Sequence, residues 1–187
     1  MMLVRVVPVL LLLTVLFCAP AIKQFYPGNY FPEDRTYQNK TLGFSLTYRG
    51  NWEIITDPND MKSNKAYAKE LHESGAELLF IGFTVEKTQG TRCIVTNLNE
   101  TDEEYAEEIR RINKDQIDSD SGFAEDTIQG IPMVTWRYAK DEFRFIEYFF
   151  SIDTYNMRIA FWTKPRIFDK FLPVYEEIMG TLSIPGR

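Results

Sequence analysis

His72 and its acidic neighbours are the first group whose residue types could bind a metal ion or take part in catalysis. Glu70, Glu73 and Glu77 stand close to His72 in the chain, and imidazole and carboxylate groups together form metal sites. His72 is the only histidine of the 187 residues, so a site that needs two imidazoles cannot form from one copy of the chain. On a short helix these glutamates are within reach of water, and such runs usually form solvated faces. We therefore interpret the group as a charged surface.

Cys93 is the second candidate, because a cysteine beside a histidine can act as a nucleophile with its base. No sequence spacing supports a pair between Cys93 and His72. Cys93 lies in a run, Arg92 to Val95, that predicts a strand, where a thiol is usually buried and inert. The only other cysteine is Cys18, which falls in the leader described below, so an intramolecular disulfide is not expected in the mature chain.

The acidic segment 118–126 resembles the start of a calcium-binding loop. Counted from Asp118, its twelfth position is Gln129, where such a loop needs a bidentate glutamate. We expect a polar loop here, with a weak calcium site as the alternative. The candidate calcium ligands are Asp118, Asp120, Glu125 and Asp126.

Other reactive patterns are absent from the sequence. It contains no phosphate-binding glycine loop, no nucleophile elbow and no zinc-binding dyad. We predict no catalytic residue and no cofactor. Asn39 and Asn99 match the glycosylation pattern, which matters only for a eukaryotic source.

Residues 1–21 have the features of a signal peptide. Arg5 supplies a positive start, an apolar run extends from Val6 to Phe17, and Ala19 to Ala21 gives a small-residue cleavage pattern. The apolar run is short for a membrane span, although an uncleaved anchor is one alternative. A lipoprotein anchored through Cys18 is another, despite the bulky residue before that cysteine. We expect an exported protein, periplasmic or secreted, with no transmembrane span after cleavage.

The charge of the mature chain disfavours two classes of partner. The full chain has 21 basic and 27 acidic side chains, and loss of residues 1–21 removes Arg5 alone among them. The net charge therefore changes from −6 to −7. An acidic surface repels phosphate groups, so neither nucleic acid nor anionic lipid is an expected partner.

The remaining sequence predicts a domain that mixes helices with an antiparallel sheet. Residues 22–35 contain two prolines and a glycine among aromatics, which favours an extended N-terminal arm without a regular element. Alternation at Phe44, Leu46 and Tyr48 predicts a strand, and Trp52 after the Gly50 turn is expected in the core. Thr101 and Glu104 form a capping box that opens a helix burying Tyr105, Ile109 and Ile112. Helices are predicted at about 61–74, 101–117 and 167–179, and strands at about 36–39, 42–48, 77–87, 91–98, 131–139, 142–152 and 157–163, with Gly90 in a turn.

Strands that are apolar on both faces need a cover on each side. The predicted fold class is therefore α+β, a helix–sheet–helix sandwich around a central antiparallel sheet, in one domain over residues 36–187.

The run from Gly43 to Tyr48, followed by Trp52, resembles the opening of PsbP-like domains, a superfamily that includes PsbP and DcrB-type exported proteins. That family usually has a proline where Arg49 to Asn51 stand here. The order of a mid-chain helix, an aromatic meander, a closing helix and a short tail is also similar, over roughly residues 36–185. The resemblance implies a PsbP-like sandwich and a non-enzymatic exported or envelope protein. No motif in this chain matches a metal site of that family.

Three functional hypotheses follow. The first is a non-enzymatic exported protein that binds a protein partner in the envelope or supports a complex there. The second is a carrier of a small ligand or lipid, with an aromatic pocket between sheet and helix lined from Phe143 to Trp162. The third is a metal-dependent hydrolase that uses the acids near His72 or in the segment 118–126.

Overall fold

The computed structural model describes residues 21–186. It contains the helices α1 (Lys65–Glu73), α2 (Asp102–Asn113) and α3 (Pro165–Met179), with short 3-10 turns at Lys62–Asn64 and Lys114–Gln116. The strands are β1 (Asn29–Phe31), β2 (Thr36–Asn39), β3 (Phe44–Thr47), β4 (Trp52–Ile55), β5 (Ala76–Thr84), β6 (Gln89–Thr96), β7 (Ser119–Ile128), β8 (Ile131–Lys140), β9 (Phe143–Ile152) and β10 (Tyr155–Thr163).

Seven strands form the main sheet, in the order β4-β5-β6-β10-β9-β8-β7, and all of its pairings are antiparallel. The predicted meander of three aromatic strands is confirmed as β8, β9 and β10, and β7 adds a fourth strand before them. The strands that were predicted to be apolar on both faces, such as β5, lie inside the sheet, because an interior strand is covered from both sides.

Each face of the main sheet has its own cover. On one face, α1 packs on β5 while α2 packs on β8 and β9. On the other face, α3 and a small three-stranded sheet, β1-β2-β3, enclose the largest cluster of buried side chains. The predicted α+β sandwich around an antiparallel sheet is confirmed, with the small sheet as an addition.

The residues on the two sides of the Gly50 turn do not form a hairpin. The predicted strand before the turn is β3, which belongs to the small sheet, and Trp52 begins β4, an edge of the main sheet. Gly50 has a φ of +88°, so it turns the chain from one sheet to the other in a conformation that side chains disfavour. Trp52 is 6% exposed, and its indole N–H donates to the Arg49 carbonyl at 2.9 Å.

Three local predictions were wrong. The N-terminal arm contains β1, because Pro27 and Pro32 bracket a short strand that pairs with β2 and do not interrupt it. The segment 118–126 is not a loop, because all of it after Asp118 lies in β7, an edge strand that needs hydrogen bonds from β8 alone. Gly90 is not in the turn, which falls at residues 85–88, but lies inside β6, where a side chain would collide with the Trp162 indole.

The capping box of α2 is confirmed. The Glu104 amide donates to the Thr101 hydroxyl at 3.2 Å, and the Thr101 amide donates to the Glu104 carboxylate at 3.1 Å. Tyr105 and Ile109 are buried as predicted, but Ile112 is 59% exposed. The apolar face of α2 thus extends one turn beyond its contact with the sheet.

The closing helix α3 begins with Pro165 in its first turn and continues through Pro173. A proline at the start of a helix removes only an amide that has no intrahelical partner. After α3, Ser183 forms two backbone hydrogen bonds with Ser45, each of 3.0 Å, which tie the C-terminal tail to the small sheet.

Of the predicted cleavage site, Ala21 alone is among the described residues. Cys18, the predicted alternative site of lipidation, lies outside them. Within residues 21–186, no helix combines the length and the apolar character that a membrane crossing requires.

We expect Trp52→Ala to lower the free energy of unfolding by about 3–5 kcal/mol, because it empties a large buried site beside the Tyr48 and Phe161 rings. Urea denaturation followed by circular dichroism measures this. Ile112→Ala, at an exposed position, is the control and should change the stability by less than about 0.5 kcal/mol. Equal effects of the two substitutions would place Trp52 outside the core.

Candidate functional site

His72 and Cys93 do not form a catalytic pair. Cys93 is fully buried on β6, in the cluster enclosed by α3 and the small sheet. His72 lies on α1, which covers the opposite face of the main sheet. Burial raises the pKa of the Cys93 thiol, although Arg158 opposes the shift, so the thiol stays protonated and unreactive at neutral pH.

Asp120, one of the four candidate calcium ligands, is engaged by groups of the protein itself. Its carboxylate accepts hydrogen bonds from Arg110 Nε at 2.6 Å, from the Gly122 amide at 2.7 Å and from Trp136 Nε1 at 3.0 Å. Partial burial by itself would raise the pKa of Asp120, but these donors outweigh burial and hold the pKa below its ordinary value. Asp120 therefore acts as an anchor between α2 and β7.

The other three candidates are exposed. Glu125 and Asp126 line an open cleft of about 450 Å³ together with Asp102 and Glu103 from the start of α2. Within residues 21–186, no group of three or more histidine, cysteine or acidic side chains has a geometry that would hold a metal ion. The calcium assignment stays a prediction, with Asp120 already occupied by three donors.

Most of the aromatic side chains from Phe143 to Trp162 lie in the protein interior. Of these rings, Phe145, Tyr148, Phe149, Phe150 and Phe161 are buried, and they divide between the clusters on the two faces of the sheet. The 450 Å³ cleft and a second cleft, of about 490 Å³ along α2, are both lined mainly by acidic residues. Most of the rings expected to line a carrier pocket are thus packed in the core, whereas Phe143, Tyr155 and Trp162 are half-buried.

The N-terminal arm is held against the body of the domain by a buried carboxylate that the sequence did not indicate. Glu77 was predicted to face water, but it is the second residue of β5 and is 4% exposed. Its carboxylate accepts the Phe25 amide at 2.6 Å and the Tyr26 amide at 3.2 Å. Burial raises the pKa of Glu77, while the two amide donors and the nearby His72 act in the opposite direction.

Two further contacts fasten the start of the arm. The Gln24 side chain donates to the Thr56 carbonyl at 2.8 Å, and the Ile22 amide donates to Asn59 Oδ1 at 3.1 Å. The arm therefore has a defined position, although most of its residues lie outside regular structure.

The Phe25 ring is fixed but remains largely exposed. It stacks on the His72 imidazole, with ring centres 4.5 Å apart and planes at 7°. The ring sits beside the backbone amides that Glu77 holds, yet 55% of Phe25 is exposed. Phe31, on the short strand β1, is a second exposed ring of the arm.

The two sequence patterns for glycosylation differ in accessibility. Asn39 is fully buried; its amide donates to the Tyr26 carbonyl and the Tyr37 hydroxyl, and its carbonyl accepts the Leu42 amide. A sugar cannot be attached there in the folded protein. Asn99 is exposed, in a turn conformation with a φ of +55°.

A group of buried charges lies on the face covered by α1 and α2. We call it the arginine cluster; it consists of Arg92 on β6, Glu147 on β9 and Arg158 on β10. Sequence reasoning missed it. The signal was a charged residue in the middle of otherwise apolar interior strands, where a charge is retained only if it is paired or has a function.

We expect Asp120→Asn to lower the free energy of unfolding at pH 7 by about 1–2 kcal/mol, because the ion pair with Arg110 is lost from a partly exposed site. Since the folded pKa is below the ordinary 3.8, the contribution of Asp120 is fully present above that value and is lost as the pH falls through the folded pKa. The free energies of unfolding of the two proteins, measured by denaturation between pH 7 and pH 2, give this contribution. The exposed Asp118→Asn is the control, and a constant difference across this range would contradict the assignment.

We expect Glu77→Ala to release the arm and leave the main sheet folded, because two backbone amides lose a charged acceptor worth about 1.5–3 kcal/mol. Hydrogen exchange at the Phe25 and Tyr26 amides should then become faster by tenfold or more. Glu73→Ala, which removes only an exposed ion pair with Lys69, should leave both amides protected. Unchanged protection in Glu77→Ala would show that other contacts hold the arm.

This architecture is similar to that of proteins with solved structures. The solution structure of cyanobacterial PsbP from Synechocystis matches with a TM-score of 0.58 at 8% identity, covering 80% of this chain and 91% of that chain. A Pseudomonas aeruginosa protein of unknown function gives a TM-score of 0.43 at 12% identity, over 50% of this chain and 72% of that chain, and supports no argument. No protein-family model and no curated protein matches the chain. At these identities the likeness concerns architecture alone, and the chain has a PsbP-like fold.

Proposed function

We propose that the chain is a non-enzymatic exported domain of PsbP-like type that binds a protein partner through the Phe25 region of its N-terminal arm. One observation carries the proposal: the Phe25 ring is held in place by stacking on His72 and by the Glu77 anchor, but 55% of the residue is exposed. A large ring exposed to water gains free energy when a partner covers it.

A ring that is already fixed suits a protein interface. Side chains that are ordered before binding lose little conformational entropy on binding, so more of the contact energy appears as affinity. Aromatic anchors also dominate the centres of many interfaces. Several bonds hold the arm along residues 22–26, so that Phe25 is presented in one orientation.

The distribution of acidic side chains supports binding over catalysis. Glu125 and Asp126 are exposed at the cleft beside α2, Asp120 is occupied by Arg110, and Glu77 holds the arm. Among the residues that the structure describes, these carboxylates are either exposed or bonded to groups of the protein itself, and neither state suits the paired roles of acid–base hydrolysis. Export belongs to the same proposal and is supported by the signal-like sequence of residues 1–21.

Site-specific photo-crosslinking in the cells that make the protein tests the proposal. A photoreactive phenylalanine at position 25 should give a discrete adduct with one protein. The same probe at Val85 or Ile112, which are 55% and 59% exposed, should not give that adduct. Equal adducts at all three positions, or none at position 25, would contradict the proposal.

With the partner identified and purified, Phe25→Ala should weaken its binding by about tenfold or more, as expected for an aromatic anchor. Val85→Ala is the matched control and should leave the affinity unchanged. Isothermal titration calorimetry measures both. If Phe25→Ala binds as tightly as the unmodified protein, the ring is not the anchor, even if a partner exists.

A further inference from the structure

The arginine cluster is created by one small residue at the centre of the main sheet. In the strand register, Arg92 on β6 lies opposite Ala160 on β10, and Ala160 lies opposite Glu147 on β9. Ala160 is fully buried, and its methyl group leaves room for the two longer side chains to meet above it. Arg158, two positions before Ala160, points to the same face because side chains alternate along a strand.

The arginine cluster contains two positive side chains and one negative side chain. Arg92 Nη2 lies 3.4 Å from Glu147 Oε1, and Arg158 Nη1 lies 3.5 Å from the same oxygen. The second carboxylate oxygen accepts the Tyr138 hydroxyl at 3.2 Å. Two guanidinium groups thus share one carboxylate oxygen, at distances longer than the 2.7–2.9 Å usual for such bonds. The cluster carries a net charge of +1 beneath the protein surface.

Both arginines also have unused donors. The Nε atoms of Arg92 and Arg158 are buried and have no hydrogen-bond partner among residues 21–186. Burial of a charged donor without a partner is costly, so the arrangement favours an additional acceptor. The side chain of Arg158 is 8% exposed and that of Arg92 is 22% exposed, so solvent reaches the cluster from the Arg92 side.

Aromatic rings surround that access. The guanidinium carbon of Arg92 lies 6.0 Å from the Tyr67 and Phe145 ring centres and 5.8 Å from that of Trp162. Tyr67 belongs to α1, and the two other rings belong to β9 and β10. Because α1 covers β5 and α2 covers β8 and β9, Arg92 on β6 lies between the two helices.

We propose that the arginine cluster binds a small organic molecule with one carboxylate and an apolar part. The carboxylate pairs with the guanidinium groups of Arg92 and Arg158, and the apolar part lies against the rings of Tyr67 and Trp162. This site is separate from the Phe25 surface, and neither proposal depends on the other.

The charge of the arginine cluster and the planar geometry of its donors favour a carboxylate over other anions. A planar carboxylate matches the planar donor pattern of a guanidinium group in a way that a spherical ion does not. A monoanion neutralises the net charge of +1, whereas a dianion such as phosphate would leave the buried site with a net charge of −1. The aromatic rim favours a ligand that has an apolar surface over one that is polar throughout.

Titration of the purified, isotope-labelled protein with sodium benzoate tests the proposal, using the arginine Nε–H signals in nuclear magnetic resonance spectra. The Arg92 and Arg158 signals should shift saturably, with a dissociation constant on the order of 1 mM, as expected for a ligand of this size. Benzamide, which has the same shape without the charge, should cause no saturable shift, and sodium chloride controls for ionic strength. If the cluster only stabilises the fold, benzoate causes no saturable shift, which overturns the proposal.

A pair of conservative substitutions locates the site. Arg92→Lys keeps the charge but removes the planar donors, and it should weaken benzoate binding by about tenfold. Arg144→Lys is the matched control: Arg144 also lies over a ring, that of Phe168 at 4.6 Å, and pairs with Asp169, but its partners are on α3. It should leave benzoate binding unchanged. Equal losses in both variants, or no loss in Arg92→Lys, would contradict the assignment.

Discussion

The structure depends on the burial of both faces of one antiparallel sheet. Its interior strands are apolar on each side, so neither face can remain in contact with water. Helices α1 and α2 cover one face, and α3 with the small sheet covers the other. The rings of Tyr48, Trp52 and Phe161 pack together on this second face, where β4 joins the main sheet. Most of the aromatic residues that the structure describes are buried on one of the two faces, so an exposed ring such as Phe25 is unusual in this protein.

The architecture could be predicted from the sequence where a residue pattern has a local physical cause. Helical spacing, the Thr101–Glu104 box and strand alternation each have a direct physical cause, and these elements were predicted nearly in place. The errors concern positions whose conformation is set by distant contacts. Nothing within 118–126 shows that β8 will pair with it, and nothing near Gly90 shows that the Trp162 indole will pack on it. The break between β3 and β4 is of the same kind, since it depends on which sheet each strand joins.

The candidate sites were harder to predict than the fold. Glu77 and His72 looked like members of one acidic run, but one begins a strand and is buried, while the other stacks on the arm. Their roles follow from the position of residues 22–26, about fifty positions earlier in the chain. The arginine cluster likewise brings together three strands that are adjacent only after the sheet has formed. The sequence shows that a charged residue in an apolar strand is unusual. It does not show which charged residues will form ion pairs with one another.

The outermost strand of the sheet, β7, has a consequence for behaviour at high concentration. It is ten residues long, mostly exposed, and paired on one side only, so its other side offers free backbone groups to a strand of a second molecule. Such edges are common starting points for aggregation. Here the strand carries Asp120, Glu125 and Asp126, and its register shifts between Asp120 and Phe123. Asp120 is paired with Arg110, but repulsion between the exposed Glu125 and Asp126 carboxylates of two copies and the local bend both oppose stacking along this edge.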